Sequence, residues 1–478
     1  MKKYIKSEFL WPLMTFVLLF LIHLPIITKH LLTADIILNN NIYRGYSWEI
    51  SLGRFGLYLF GILKGFKTIP IIEYLFSCLF ISLTLLLWNR IFEVKSNLEK
   101  IIMVILIILS PMISATLLFY YCSTPYTFAF FCSMYALYAF LFYKKILFKY
   151  VLPIVLIMLA LSTYQAYLSV VVSVYIFYLL KKLLEKEKIK KYLSYVLLIG
   201  GGVLLYYVVM KLSLIVFNVT MSDYQNANNI GFSSLLKIKD NFLLTYHLFY
   251  KFFFTDYVLK NSYFHNGLLY GGLLILFMIE LIFTIKKNNI VKKNVLLIIL
   301  LVLLLPCFIN IVTFALSDSK LQLLMSISYL LFFMFIGVIV CRGRGKYFLV
   351  GLVFLLSINY FIEDQASYKS IEKTNMAYKD IINSAGLEMD KQYIVVGDIK
   401  NRGDIYKKNY GFVSDEGIFW EEYHLRKLGF ERYSEQVFDK KLSFGSEEEY
   451  NKYLDATLDE VLTSEDNLII IDLRQIKN

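Results

Sequence analysis

The sequence predicts a polytopic α-helical membrane protein with about eleven membrane helices and a small C-terminal α/β domain. Three observations lead there. Long apolar runs recur along the chain, each near the roughly 20 residues a helix needs to cross a hydrocarbon core of about 30 Å. Lysines and arginines collect in the short connectors between those runs. After residue 362 the composition turns abruptly charged, and two β-branched segments follow. Bulk composition agrees, since 58% of the 478 residues are hydrophobic, only 18% are charged and the mean hydropathy is +0.59, beyond a soluble domain.

The apolar runs cover 9–27, 70–88, 99–119, 127–142, 147–161, 165–180, 193–217, 267–285, 295–316, 322–341 and 347–362. Counted from a cytoplasmic N-terminus, they put the basic clusters near 143, 181, 285 and 341 on the inner side, where Lys and Arg are retained. A miscounted helix would invert every later cluster. The first run is followed by His23-Leu24-Pro25 rather than a small-residue cleavage site, so it reads as an uncleaved helix. Only Ser162-Thr163-Tyr164-Gln165 separates two short runs between 147 and 180, where two spans are expected, as a tight hairpin or as broken helices around a polar cavity.

This count gives a membrane domain over 1–362, with outward loops 28–69 and 218–266, and an extracytoplasmic tail over 363–478. The second loop mixes aromatics with charge and is expected to hold helices lying along the interface. In the tail, QYIVVGDI at 392–399 and NLIIIDL at 467–473 predict buried strands, and EEEYNKYLDATLDEVL between them predicts a helix.

The net charge of +12 does not point to nucleic acid, because the lysines sit in membrane connectors rather than on a soluble face. Cys78, Cys122, Cys132, Cys307 and Cys341 lie in or beside apolar runs without paired spacing, which argues against a disulfide scaffold or zinc site. No Walker-type phosphate loop occurs, and Arg342-Gly343-Arg344-Gly345 is too short to be one. His247, Asp256 and His265 lack metal-ligand spacing, and Asp318 with Lys320 reads as a solvated turn.

Chemistry concentrates in the first outward loop. Asp35 and Glu49 follow the first membrane helix, with Arg44, Arg54 and Lys64 nearby. A carboxylate there can take the proton of an attacking hydroxyl, while an arginine fork or a lysine stabilises charge on a departing phosphate. Solvated loop acids and a snorkelling arginine are the plainer account of the same residues. Tyr164 and Gln165 put a phenol and an amide at a membrane boundary, either bracing the hairpin or lining a substrate path. Tyr120, Tyr121 and Ser123-Thr124-Pro125-Tyr126 read as another outward turn whose rings can stack on sugars.

The segments SWEISLGRFG at 47–56 and ALSTYQAYLSVVVSVYIF at 160–177, with an acid soon after the first membrane helix, resemble the bacterial type II glucosyltransferase family. These are membrane glucosyltransferases that modify O-antigen and belong to the multi-spanning glycosyltransferases that use lipid-linked sugars. The resemblance covers most of the membrane part and implies transfer of glucose or another hexose from undecaprenyl phosphate to a surface glycan at the bacterial cytoplasmic membrane. On the family pattern Asp35 takes the first-loop acidic position, Gly53 and Arg54 match a Gly-Arg pair, and Tyr164 and Gln165 match a Tyr-Gln segment. Many relatives have Asp-Asp where this chain has Ala34-Asp35, which leaves the base to Asp35 alone or shared with Glu49.

The expected site is therefore Asp35 and Glu49 as catalytic acids with Arg44, Arg54, Lys64, Tyr164 and Gln165 as substrate contacts. No cofactor is required, although two acids could hold a divalent cation. A polysaccharide polymerase would favour arginines in two large outward loops, and a flippase would favour ionisable residues deep in several helices.

Overall fold

The computed structural model describes residues 2–29, 31–32, 46–222, 238–255, 262–316, 323–384, 386, 388, 390–396, 430–431, 434–435, 437–454 and 467–472. The predicted site residues Asp35 and Arg44 lie outside the described residues, as do Asp256, Asp318 and Lys320.

The protein is a polytopic helical membrane protein. Seven helices among the described residues are long and apolar enough to cross a membrane: Phe9–Thr28, Pro70–Ile91, Tyr120–Phe142, Tyr167–Leu184, Ile189–Val216, Asn266–Lys287 and Lys346–Lys373. An eighth is completed if Asn97–Ile108 and Pro111–Leu118, bent by 43°, form one span. Eleven apolar runs were counted in the sequence, and the difference has a physical origin. Leu147–Thr163 and Ile327–Cys341 are helical but short. The run 295–316 is divided into Lys292–Leu303, Leu305–Ile309 and Ile311–Leu316, with Pro306 just after the first break.

Burial follows the pattern of apolar faces. Ile327–Cys341 is apolar on every side, so neighbouring helices surround it and each residue from Ile327 to Val340 is buried. Phe335 and Phe332 stack on Phe177 of the largely enclosed Tyr167–Leu184, at centroid distances of 4.9 and 5.8 Å. Around this centre, Pro70–Ile91 packs along Tyr120–Phe142, and Leu152–Thr163 packs against both Tyr120–Phe142 and Ser194–Val216. On the periphery Leu197, Ile215, Leu268, Leu296 and Phe348 are each at least 70% exposed, the surface a lipid-facing helix presents.

Between 147 and 180 the chain forms the two expected helices, ending one at Thr163 and starting the next at Tyr167. Tyr120–Tyr126 corrects an expectation, because these residues are the buried opening turns of helix Tyr120–Phe142, with Pro125 inside it, and not an outward turn. At 363 the composition changes but the backbone does not, and a single helix runs Lys346–Ser384. Its period continues through buried Tyr360, Glu363, Asp364, Ser367, Tyr368 and Ile371.

In the tail Gln392–Val396 (β1) lies between Ser443–Phe444 (β2) and Leu468–Asp472 (β3), all parallel, with Tyr393 opposite Phe444 and Ile469. The central strand of a parallel sheet is covered on both faces, which is why Tyr393, Ile394, Val395 and Val396 are all buried. Helix Glu447–Leu454 covers one face through Tyr450 and Tyr453, and Ser446 and Glu449 close its first turn reciprocally.

Contacts sort the connectors to two ends of the bundle. At one end Arg342 donates to the carbonyls of Phe92 and Glu93, Lys181 and Lys182 reach Glu93, and Asn288 donates to Leu184. At the other, His23 meets Ile108 and Tyr368, Lys64 meets Glu73, Gln165 meets Leu52, and Asn359 meets Phe264.

Candidate active site

Two helices frame the first-loop residues. Tyr46–Ser51 ends in the turn Leu52-Gly53-Arg54, and Phe55–Leu63 begins immediately after. The turn closes by hydrogen bonds from Gly53 N to Ile50 O at 2.8 Å and from Arg54 N to Glu49 O at 2.7 Å. Gly53 has φ +76°, and a Cβ there would lie 2.6 Å from Tyr206 Oη and 2.9 Å from Met210 Sδ, so both backbone and space demand glycine. At Gly56 a Cβ would lie 2.9 Å from the carbonyl of Ser162, which lets the second helix press against the end of Leu152–Thr163.

That approach joins two segments more than a hundred residues apart. Gln165 Nε2 donates to Leu52 O at 2.5 Å and to Tyr206 Oη at 2.9 Å, and the Tyr206 hydroxyl donates to Gly53 O at 3.2 Å. Gln165 is therefore a brace for the turn that carries Arg54. Tyr164, held extended between the two helices, stacks on Tyr126 with centroids 5.1 Å apart and presents its ring to Arg54 Cζ at 4.5 Å.

Glu49 is 6% exposed, and its Oε2 stands 3.7 Å from Arg54 Nη1. This separation is an electrostatic contact rather than a closed bidentate pair. Burial works against the guanidinium charge, but Tyr126, Glu49, Tyr164 and Tyr121 around it outweigh that cost and push its pKa up. Arg54 Nε has no hydrogen-bond partner among the described residues.

Lys64, expected as a substrate contact, is held within the protein by two partners. Its Nζ is 2.7 Å from Glu73 Oε1 and donates to Tyr121 O at 3.0 Å. Glu73 was missed in the sequence although it stands in the first turn of a membrane helix, three residues after Pro70, where an acid needs a reason. Its Oε2 has no hydrogen-bond partner among the described residues. Thr124 also donates to Glu73 O at 3.0 Å, so the pair is fixed to the opening of Tyr120–Phe142.

The described part of the site thus unites Glu49, Arg54, Tyr164 and Gln165, with Lys64 on Glu73 beside them. It offers a buried carboxylate able to accept a proton, a guanidinium able to meet an anion, and aromatic faces that suit a sugar ring. Among the described residues no group of three or more His, Cys, Asp and Glu is placed to hold a metal ion. His247 is exposed on helix Ile238–Phe254, and His265 precedes helix Asn266–Lys287, its carbonyl accepting from Leu268 and Leu269. All five cysteines are free.

No curated protein and no solved structure matches the chain. The sequence model of the family described as Glucosyl transferase GtrII matches residues 24–342, which include both motif segments and every described residue of this site. Covering more than half of the chain, that match identifies it as a member of the GtrII glucosyl transferase family, a membrane glycosyltransferase.

Proposed function

We propose that this enzyme transfers a glucosyl or other hexosyl residue from undecaprenyl phosphate to a cell-surface polysaccharide at the outer face of the bacterial cytoplasmic membrane. The observation carrying this reading is the buried Glu49 carboxylate beside the Arg54 guanidinium, on a turn braced by Gln165 and faced by Tyr164. Glu49, alone or with Asp35, accepts the proton of an acceptor hydroxyl. The hydroxyl oxygen bonds to the anomeric carbon as the bond from that carbon to the phosphate oxygen breaks, and polyprenyl phosphate leaves with the electron pair. Arg54, together with Arg44, neutralises the departing phosphate, so no divalent cation is needed. A single displacement inverts the anomeric centre.

The alternation of contacts between the two bundle ends supports eleven traverses, counting the short, bent and broken helices. In this reading the N-terminus and the ion-paired Glu93, Lys181, Lys182 and Arg342 lie inside, where Lys and Arg are retained, and the Glu49 site and the tail, with its small α/β unit, lie outside. The test is transfer from undecaprenyl-phosphate-glucose to a surface-polysaccharide extract by the purified protein, with Asp35→Ala, Glu49→Ala and Arg54→Ala variants, with and without EDTA. Transfer by the wild type that survives EDTA and is lost in Glu49→Ala and Arg54→Ala is the expected result. Full transfer by Glu49→Ala would remove that residue as the base.

A further inference from the structure

A second group of buried polar side chains lies on helix Lys346–Ser384, outside the residues 24–342 that match the family. Asp364 and Ser367 are three residues apart and so share a helix face, and they are 2% and 0% exposed. Ser114 Oγ donates to Asp364 Oδ2 at 2.7 Å, whereas Asp364 Oδ1 and Ser367 Oγ have no hydrogen-bond partner among the described residues. Two neighbouring rings, His23 and Tyr368, are already committed. His23 Nε2 donates to the carbonyl of Ile108 at 2.8 Å, so its neutral ring accepts the Tyr368 hydroxyl on Nδ1 at 2.7 Å. That carbonyl belongs to the last residue before the 43° bend, so the polar group adjoins a broken membrane helix. Broken helices and buried ionisable groups inside a membrane bundle go together where a polar ligand is handled.

Two groups without a hydrogen-bond partner among the described residues, one helical step apart, a carboxyl oxygen and a hydroxyl that both donates and accepts, match adjacent hydroxyls of a sugar ring. We propose that Asp364, Ser367 and Ser114 form a sugar-hydroxyl subsite that selects which hexose this enzyme handles. The inference rests on the proposed glycosyl transfer. It puts a specificity element on a helix beyond the family-matched region, at the same end of the bundle as Glu49 and Arg54. Asp364 and Ser367 hold hydroxyls of the donor sugar or of the acceptor and take no part in bond cleavage.

The experiment uses the full-length protein in detergent, as wild type, Asp364→Asn, Ser367→Ala and Ser367→Thr. Thermal stabilisation is measured with bare undecaprenyl phosphate and with undecaprenyl phosphate carrying glucose, galactose or mannose, and transfer is measured against acceptor concentration. If the hydroxyls are the donor's, the wild type binds one sugar-bearing lipid more tightly than the bare lipid. Asp364→Asn and Ser367→Ala then lose about tenfold of that preference while binding the bare lipid unchanged, and Ser367→Thr restores it. If they are the acceptor's, the lipid preference is kept and the acceptor KM rises about tenfold at nearly constant kcat. Variants that match the wild type in both measurements, or that lose bare-lipid binding and kcat alike, overturn the subsite. A sugar preference that depends on Asp364 in a wild type that transfers nothing would sink the transferase reading and leave the subsite standing. Neither preference nor transfer in the wild type would overturn both.

Discussion

The ammonium of Lys64 donates to the carbonyl oxygen of Tyr121 at 3.0 Å, and Pro125, four residues further along the same helix, has no N–H to offer that oxygen. In an uninterrupted helix Tyr121 O would accept the N–H four residues on, which proline lacks. The lysine completes the helix and is held at the site by the same bond, with Glu73 as its counter-charge. Pro125→Ala restores the helical donor and competes with Lys64. The expected outcome is a melting temperature equal to or above the wild type with transfer lowered by about tenfold, since a misplaced cation costs more at the reaction than in the fold. Unchanged transfer would show that Lys64 braces the fold only.

Arg54 combines two tasks that lysine cannot share, stacking a planar cation on Tyr164 at 4.5 Å and directing a fork toward Glu49. Arg54→Lys keeps the charge but loses both the stack and the fork. Its kcat/KM is expected to fall by about a hundredfold, close to the loss in Arg54→Ala, whereas Tyr164→Phe keeps the ring and falls by less than about fivefold. Recovery of activity in Arg54→Lys would mean that charge alone suffices.

The contrast between Gln165 and Glu73 shows what the sequence could convey. Apolar runs, their polarity of charge and the two strands of the tail are local patterns, so the helices and the strands β1 and β3 were legible residue by residue, whereas the parallel pairing of those strands was not. The motif segments at 47–56 and 160–177 were legible as separate pieces, and their meeting at Leu52 and Gln165 was not, because nothing in spacing encodes a contact across 113 residues. Glu73 and Asp364 escaped notice for another reason. Each sits inside or beside an apolar run, where a single acid barely changes the average, yet burial makes such a residue the costliest in its segment. Lys64 was read as a substrate contact with no counter-charge named, because Glu73 went unnoticed.

At the opposite end of the bundle, stability is expected to depend on acidity. Hydrogen bonds from Lys182 and Lys191 hold the Glu187 carboxyl down to about 2, against an ordinary 4.5. For Glu93, burial raises the pKa, but Lys181 and Lys182 outweigh it and the net shift is downward. A depressed carboxyl contributes stability that is complete above its unfolded value and fades as pH falls toward its folded one. The melting temperature should therefore drop between pH 4.5 and about 2. Lys182 also pairs with Glu185, so Lys182→Met should lower stability at pH 7 and flatten that acid dependence. An acid profile unaltered by Lys182→Met would exclude this network as its source.

Gly343 and Gly345 serve packing rather than phosphate binding. Glu280, 3% exposed on helix Asn266–Lys287, reaches across to accept from Gly345 N at 2.5 Å, satisfying a donor at the start of Lys346–Ser384. Its carboxylate fills the space beside Gly343, where a Cβ would collide with Glu280 Oε2 and approach Oε1 to 2.8 Å. Gly343→Ala must displace that carboxylate from a buried position, and loses about 1–3 kcal/mol of stability by overpacking. Glu280→Ala removes the obstacle but leaves the donor at Gly345 unsatisfied, a comparable loss. The double variant should then cost less than the two single losses combined, because the second change removes the group that the first one strikes. Thermal melting of the four proteins reads this directly, and simple additivity would contradict the contact. Transfer per folded molecule should stay near wild type in all four, since Gly343 and Glu49 lie at opposite ends of the bundle and the substitution acts on folding alone.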